Sequence, residues 1–525
     1  MLNIKITKNI FIFILFLYSL FCVLTVGQGW DEIDNYIRGK ITLDYLFSLG
    51  RINEDAFLRE SYSTFYWSIK YLLSNIFPKK YLIESGHFIN LIFSLTALFG
   101  VKKIAKELFN NEIGNLSFLI LFFVPFFFGH FGVNGKDTVL AVCHIWIFVY
   151  LIKYLKTKNK KTQTNSFFKI GVFAALGTGI QLVFLGSLLP IILFFILEIF
   201  YFKNIINQSF SLKKLLVDIF KSFLIFYSLL ILFWIDSHSN ILLNPIKFLI
   251  NIYSENYPTG WKYNLSAGKY YLSENISWSY LLENLFFKLP EYFIFSYAVF
   301  LFLIAKYKLF FIKHFKYFWK NLVLILFLIA FPTLLLTFLP FPIYDGLRLF
   351  LWIVPYLCVV PALVIYFLIK NYKNKVSILI SFVLLPLIIL FLKNFISYTP
   401  YHYSYLNSFN NFFEDRQTTF EVDYWGLSLN ELIKRSDINN NEKFIFTVCG
   451  VNEDNVKYYL KKNGIYNFEF NSELKSDYVV LTNRATFFNN EVSNCLFKFD
   501  NVNEFEVKRN NILLSAIRKN SLKEN

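Results

Sequence analysis

The feature that most constrains this chain is a series of long apolar runs between residues 10 and 394. They lie at 10–26, 88–107, 115–131, 138–155, 170–202, 215–235, 291–311, 321–339, 348–369 and 376–394. All but one are near the ~20 residues a helix needs to cross a ~30 Å hydrocarbon core, where each backbone N–H and C=O must be satisfied within its own segment. The exception, 170–202, would form a single helix of roughly 50 Å. Lys169 and Lys203 flank it, and Gly177, Gly179 and Gln181 interrupt it, so a tight helical hairpin with Gln181 at its tip is expected. The chain is therefore read as an all-α polytopic membrane protein with about 11 spans. Its 525 residues are 56% apolar and 17% charged, against about 45–50% and about 25% in soluble domains. That balance excludes a disordered chain, a coiled coil, a small disulfide scaffold and an ordinary soluble enzyme.

The net charge of +16 is unevenly placed: residues 396–525 carry 15 basic and 17 acidic residues, so the excess lies among the apolar runs. A nucleic-acid binder would gather its basic residues on a soluble face, and none is expected as a partner. With the N-terminus in the cytoplasm, alternate loops hold Lys102, Lys103 and Lys106, then Lys153 to Lys161, then Lys203, Lys213 and Lys214, then Lys306 to Lys320, and lastly Lys370, Lys373 and Lys375. The intervening loops 27–86 and 236–290 are balanced, at seven basic to eight acidic and four to four. This is the positive-inside pattern. It sets a multi-pass protein in the cytoplasmic membrane, the N-terminus inside and the C-terminal domain outside. The first run follows Lys5 and Lys8 without a small-x-small cleavage site, and is read as an uncleaved anchor.

Residues 396–525 change character and are read as a small extracytoplasmic α/β domain. Phe444–Val448, Tyr478–Thr482, Phe497–Phe505 and Ile512–Ile517 are expected as strands, and Asn455–Lys462 as a helix ended by Gly464. Cys449 and Cys495 are either a disulfide or two buried thiols, whereas Cys22, Cys143 and Cys358 lie in spans as small apolar residues. The aromatic excess, with 66 Phe, is attributed mainly to coding bias and lipid-facing side chains.

Polar clusters at the outer ends of spans are where chemistry is sought, since ionisable groups there are costly unless used or paired. Asp31, Glu32 and Asp34 directly follow span 1. Their mutual repulsion raises carboxyl pKa values and suits a general base, or they form a solvated turn capping the next helix. The short loop 129–137 packs His130, Asn134, Lys136 and Asp137, either as a site or as Asp137 capping a helix and pairing with Lys136. In loop 340–348, Asp345-Gly346 reads as a turn and Arg348 either holds an anion or pairs with Asp345. Trp261, Lys262, Tyr263, Lys269 and Trp278 are a fourth group, equally readable as an interfacial belt. No P-loop, GxGxxG fingerprint or zinc spacing occurs. No cofactor is expected, with a divalent cation left open.

In order along the chain, Asp31-Glu32, GHFGVNGKD (129–137), ISWSYLLENLFFKLPEYF (276–293), YDGLRLFLWIVP (344–355), YHYSYLNS (401–408) and EVDYWGLS (421–428) resemble the integral-membrane GT-C glycosyltransferases. The likeness is closest to the branch of protein O-mannosyltransferases and lipid A aminoarabinose transferases, over about residues 10–430. Leu349 stands where many relatives have His, and Lys288-Leu289-Pro290 where they have Lys-Thr-Pro. The resemblance implies a catalytic membrane region, 1–395, followed by the outer domain 396–525. It implies inverting transfer of a sugar from a polyprenyl-phosphate donor to an acceptor at the outer face, the acceptor being a protein, lipid A or a glycan. Asp31 would be the base, Glu32 its orienting partner and Asp137 a second acid. Asp34, Asn134, Lys136, Tyr344 and Arg348 would bind substrate, Lys136 and Arg348 at the phosphate. Two other functions share many spans: an exporter or flippase of lipid-linked sugars, which needs polar residues along several spans, and a polysaccharide polymerase, for which Arg-rich outer loops are expected. The spans here are almost wholly apolar, and the chain has only nine Arg.

Overall fold

The computed structural model describes residues 2–52, 63–208, 210–254, 260–338, 341–438 and 440–523. Residues 53–62 and 255–259 of the two long outer loops, and Pro340, lie outside the described residues.

Eight helices among the described residues are long and apolar enough to cross a membrane. In chain order the helices are α1 (Leu2–Thr25), α2 (Glu32–Phe47), α3 (Phe65–Ser74), α4 (Leu82–Leu108), α5 (Asn111–Phe122), α6 (Pro125–Gly129), α7 (Asp137–Lys156), α8 (Lys160–Ile180), α9 (Phe184–Phe202), α10 (Leu212–Leu232), α11 (Leu243–Ser254), α12 (Ser279–Lys288), α13 (Glu291–His314), α14 (Phe318–Phe338), α15 (Arg348–Lys370) and α16 (Lys375–Ser397). The eight are α4, with the turn before it, and α7, α9, α10, α13, α14, α15 and α16. The expected hairpin forms from α8 and α9, with Gln181 in the turn between them. The expected count of about 11 is reached only by adding α1, α8 and the α5–α6 pair, which fall outside the eight.

Several starts follow from side-chain caps, which satisfy otherwise orphaned N–H groups. Asn110 accepts from Ile113 N, Asn159 from Lys161 N, Ser211 from Lys214 N and Asn374 from Val376 N. The run 115–131 is not one straight helix. The chain turns at Phe123-Val124, and Pro125 begins α6 at a position where its missing N–H costs nothing. The break brings residues 129–137 beside the segment that follows the last span: a side chain on Gly129 would collide with the backbone of Tyr403.

Residues 444–519 hold a five-stranded mixed sheet, order β4-β3-β5-β9-β8. Its strands are β3 (Phe444–Cys449), β4 (Phe468–Phe470), β5 (Tyr478–Thr482), β8 (Asn503–Arg509) and β9 (Ile512–Lys519). Two small hairpins, β1–β2 (Tyr263–Ser266, Lys269–Leu272) and β6–β7 (Ala485–Phe488, Glu491–Asn494), lie apart from it. Helix α18 (Glu453–Lys462) joins β3 to β4 and follows the short α17 (Leu429–Arg435). Gly464, at φ +80°, closes α18, with Ile465 N bonded back to Leu460 O at 3.0 Å. The strand expected at Phe497–Phe505 is displaced. Asn494 caps a helical turn, α19 (Cys495–Lys498), so the strand begins only at Asn503. Cys449 and Cys495 form a disulfide with their Cα atoms 5.7 Å apart.

The C-terminal region is fastened to the helical part at several points. Gly27 N donates to Leu427 O at 2.8 Å, Gln28 Nε2 to Asn455 Oδ1 at 2.8 Å, and Lys462 pairs with Glu84 at 2.9 Å. Much of the aromatic excess is packing rather than lipid-facing surface: Tyr398, Tyr401, Tyr403, Tyr405 and Tyr424 are fully buried where this region meets the helices.

Candidate active site

Three segments converge on Arg348, which opens α15 and is buried. Its Nε donates to Asp137 Oδ2 at 2.8 Å and its NH1 to Asp345 Oδ2 at 2.6 Å. NH2 stands 3.9 Å from Asp31 Oδ2, and the guanidinium lies 4.7 Å from the ring centroid of Trp425 and 5.4 Å from that of Tyr344. The sequence pairing of Asp137 with Lys136 is therefore replaced by a pairing across the fold, while the expected Asp345–Arg348 turn pair is present. Asn134 makes this geometry local: its Oδ1 accepts from Asp137 N at 2.8 Å and its Nδ2 donates to Asp137 Oδ2 at 2.9 Å. Lys136, not Asp137, occupies the N-cap position of α7.

Asp31 is the N-cap of α2, but its side chain makes no capping hydrogen bond and is 49% exposed. It borders a cleft lined also by Trp30, Glu32, Asn35, Trp67, Lys70, Asn134, Lys136, Arg348 and Trp425. Glu32 is spent on structure. Its Oε2 accepts from Gly29 N at 2.7 Å and lies 2.9 Å from His87 Nε2, and its Oε1 lies 3.5 Å from Lys70 Nζ. Burial pushes the Glu32 carboxyl up, but His87, Lys70 and the Gly29 N–H outweigh it and hold the group below its ordinary value. The Asp34 carboxyl is raised, by desolvation first and by the neighbouring Asp31 second. Asp34 is exposed on the first turn of α2 and is not among the residues lining the cleft, nor is Tyr344.

Behind Arg348 lies a buried polar layer reached from the C-terminal region. Arg484 donates to Asp345 Oδ1 at 3.0 Å and to Tyr424 O, and its guanidinium sits 4.0 Å from the Trp261 ring and 5.1 Å from Trp30. Trp261, from the fourth sequence group, is thus an internal support, whereas Trp278 is exposed. Burial lowers the Lys288 ammonium to about 8, against the pull of Glu421 and Asp345. Burial raises the Glu421 carboxyl to about 8, with Arg484 opposing. Gly346, at φ +66°, has the left-handed backbone that favours glycine, and a side chain there would displace the Lys288 ammonium. Asp423 gathers Tyr403 OH, Leu427 N at 2.8 Å and Ser428 N at 3.1 Å, which knits the YHYSYLNS and EVDYWGLS strings together.

Lys70, His87, Arg484 and Glu421 were not singled out by sequence reading. Lys70 is the one charged residue of the apolar α3, a signal that could have been used. Arg484 lies 139 positions from Asp345, and nothing local marks it. Among the described residues no group of three or more His, Cys, Asp or Glu is placed to hold a metal ion.

The sequence model of the dolichyl-phosphate-mannose-protein mannosyltransferase family matches residues 65–249. In three dimensions the chain is similar to the crystal structure of ArnT from Cupriavidus metallidurans in the apo state, with TM-score 0.50 and 8% identity over 100% of both chains. It is similar also to that ArnT bound to undecaprenyl phosphate, at TM-score 0.48 and 9% identity over 99% of both chains. The apo Archaeoglobus fulgidus oligosaccharyltransferase matches at TM-score 0.44 and 12% identity, over 89% of this chain and 69% of that one. No curated protein sequence matches the chain. The resemblance to GT-C-type glycosyltransferases is borne out by the family match and by the fold, an ArnT-like arrangement of helices with a C-terminal sheet region.

Proposed function

We propose that this chain is an inverting glycosyltransferase that moves a sugar from a polyprenyl-phosphate donor to an acceptor hydroxyl at the outer face of the cytoplasmic membrane. The observation that carries the reading is the cleft in which an exposed carboxylate, Asp31, faces Lys70, Lys136 and Arg348. The match to a family named for dolichyl-phosphate-mannose supports the donor class. The lysine-rich alternate loops support the orientation.

Asp31 takes the proton of the acceptor hydroxyl as its oxygen attacks the anomeric carbon from the side opposite the phosphate. The bond from that carbon to the phosphate oxygen breaks, and its electron pair leaves on the lipid phosphate. Lys70 and Lys136 neutralise the growing charge in a site walled by protein, where fixed cations act strongly. Arg348 is already committed to Asp137 and Asp345, so its work is to hold the three loops in register, with NH2 turned towards Asp31. Trp30, Trp67 and Trp425 line the same cleft and offer apolar faces to a sugar ring.

The test is to incubate the purified protein with a panel of polyprenyl-phosphate sugars and detect free polyprenyl phosphate. Release from at least one donor is expected, and release from none would move the reading to an exporter of lipid-linked sugars.

A further inference from the structure

His87, in the second turn of α4, is fully buried and bonded on both ring nitrogens. Nδ1 lies 2.8 Å from the carbonyl oxygen of Val23, near the end of α1, and Nε2 lies 2.9 Å from Glu32 Oε2. A carbonyl oxygen only accepts, so Nδ1 carries a proton. Glu32 Oε2 already accepts the Gly29 N–H at 2.7 Å, and Oε1 faces Lys70 Nζ at 3.5 Å, so the carboxylate receives donors from each side. Nε2 must donate as well. Against an ionised Glu32, the state that the Lys70 ammonium and the Gly29 N–H favour, a neutral imidazole with its one N–H would leave one of these two contacts as lone pair against lone pair. The ring is thus bound as an imidazolium.

The groups around it agree. From α1 comes the Val23 carbonyl, from α2 Glu32, and from α3 Lys70 and Tyr66, whose hydroxyl donates to Asn90 at 2.6 Å. On α4 itself Glu84 is paired with Lys462 at 2.9 Å, and from the C-terminal region Tyr459 accepts the Gln28 N–H. Glu32 is the carboxylate in contact with the ring, and it is also the residue next to Asp31.

We propose that His87 is a positioning residue for the first-loop base: as an imidazolium it ties α1, α2 and α4 together at Glu32 and fixes the Gly29–Glu32 turn from which Asp31 enters the cleft. Glu32 closes that turn twice, through its carboxylate to Gly29 N and through its own N to Gly29 O at 3.3 Å. The kinetic consequence rests on the transfer reading above, whereas the charge state does not.

The experiment uses the full chain in lipid vesicles with ¹⁵N-labelled histidine. The chain has six His, and the signal absent from His87→Gln identifies this one. Two protonated ring nitrogens near neutral pH are expected, and a change to a singly protonated ring in Glu32→Gln. A singly protonated ring in the wild type overturns the proposal. In the kinetic arm, Gln keeps a donor towards Glu32 and loses Val23, whereas Ala loses both. His87→Gln should lower kcat by about 10-fold and His87→Ala by about 100-fold, the scale set by small misplacement of a reacting group. KM for the lipid donor should hold within about two-fold, since Lys70 and Lys136 are unchanged. An unchanged kcat, or a KM that rises as far as kcat falls, overturns the positioning role. A wild type that releases phosphate from no donor overturns the transfer reading alone, and the histidine spectrum still decides the charge state.

Discussion

Replacing Arg348 by Met tests the organisation of the site and takes from the cleft carboxylate, Asp31, only a contact at 3.9 Å. The change removes the donor at 2.8 Å from Asp137 and the donor at 2.6 Å from Asp345. The two aspartates do not suffer equally. Asp345 keeps Arg484 at 3.0 Å, whereas Asp137 keeps only Asn134 Nδ2 at 2.9 Å, and its Oδ1 has no hydrogen-bond partner. Asp137 becomes a buried anion without a cation, and breaking such a pair from one side costs about 3–5 kcal/mol. Adding Asp137→Asn replaces that anion with an imperfectly bonded amide, which costs about 1–3 kcal/mol. The double variant should therefore be more stable than Arg348→Met by about 2 kcal/mol. Arg348→Lys should not rescue, because a single ammonium cannot bridge both carboxylates as the guanidinium fork does. Unfolding followed by tryptophan fluorescence reads this locally, since the Trp425 ring centroid lies 4.7 Å from the guanidinium. A single variant within about 1 kcal/mol of wild type, or a double variant as unstable as the single, would refute the reasoning.

Three further outcomes are expected. Lys70→Met should lower kcat/KM for polyprenyl-phosphate release by about 10²–10³-fold, the scale for removing one preorganised charge-stabilising group; a change under about three-fold would remove Lys70 from the site. Glu421 holds its proton to about 8 in the fold, above its ordinary 4.5, so its contribution to stability is full below the unfolded value and is lost as pH rises through about 8. Melting curves of Glu421→Gln should lack that part of the decline, and identical slopes for variant and wild type would contradict the assignment. The disulfide closes a separation of 46 residues, worth about 4 kcal/mol by loop-closure entropy. Reductant should lower the unfolding temperature, and a Cys449→Ser/Cys495→Ser variant should lose that sensitivity.

The spans were legible because lipid enforces one rule on every segment: about twenty apolar residues whose backbone satisfies itself. The hairpin followed from its length and its central glycines. The break at Pro125 was passed over, since apolar composition continues through it and only the proline marks the stop. In the C-terminal region the β5 strand and the Gly464 stop were visible, but Phe497–Phe505 misled because Asn494 caps a helical turn that begins at the disulfide-bonded Cys495. Clusters contiguous in sequence, such as Asp31-Glu32 and Asn134 to Asp137, could be found as strings. What the residues do within them could not. Glu32 is set apart from Asp31 in part by His87, 55 positions away, and Asp137 from Lys136 in part by Arg348, 211 positions away. Lone charges supplied by other elements, Lys70 and Arg484 among them, carry no local pattern at all.

The central claim is that Asp31 removes the acceptor proton, and the most direct measurement is the rate of polyprenyl-phosphate release by Asp31→Asn beside Asp34→Asn. Asp31 is half exposed and its ion-pair contact is only 3.9 Å to Arg348, so the Asp31→Asn protein should melt as the wild type does. Its rate should fall by about 10²–10⁴-fold, the loss expected for a general base, while Asp34→Asn stays near wild type. An Asp31→Asn enzyme that transfers sugar at close to the wild-type rate would contradict the account.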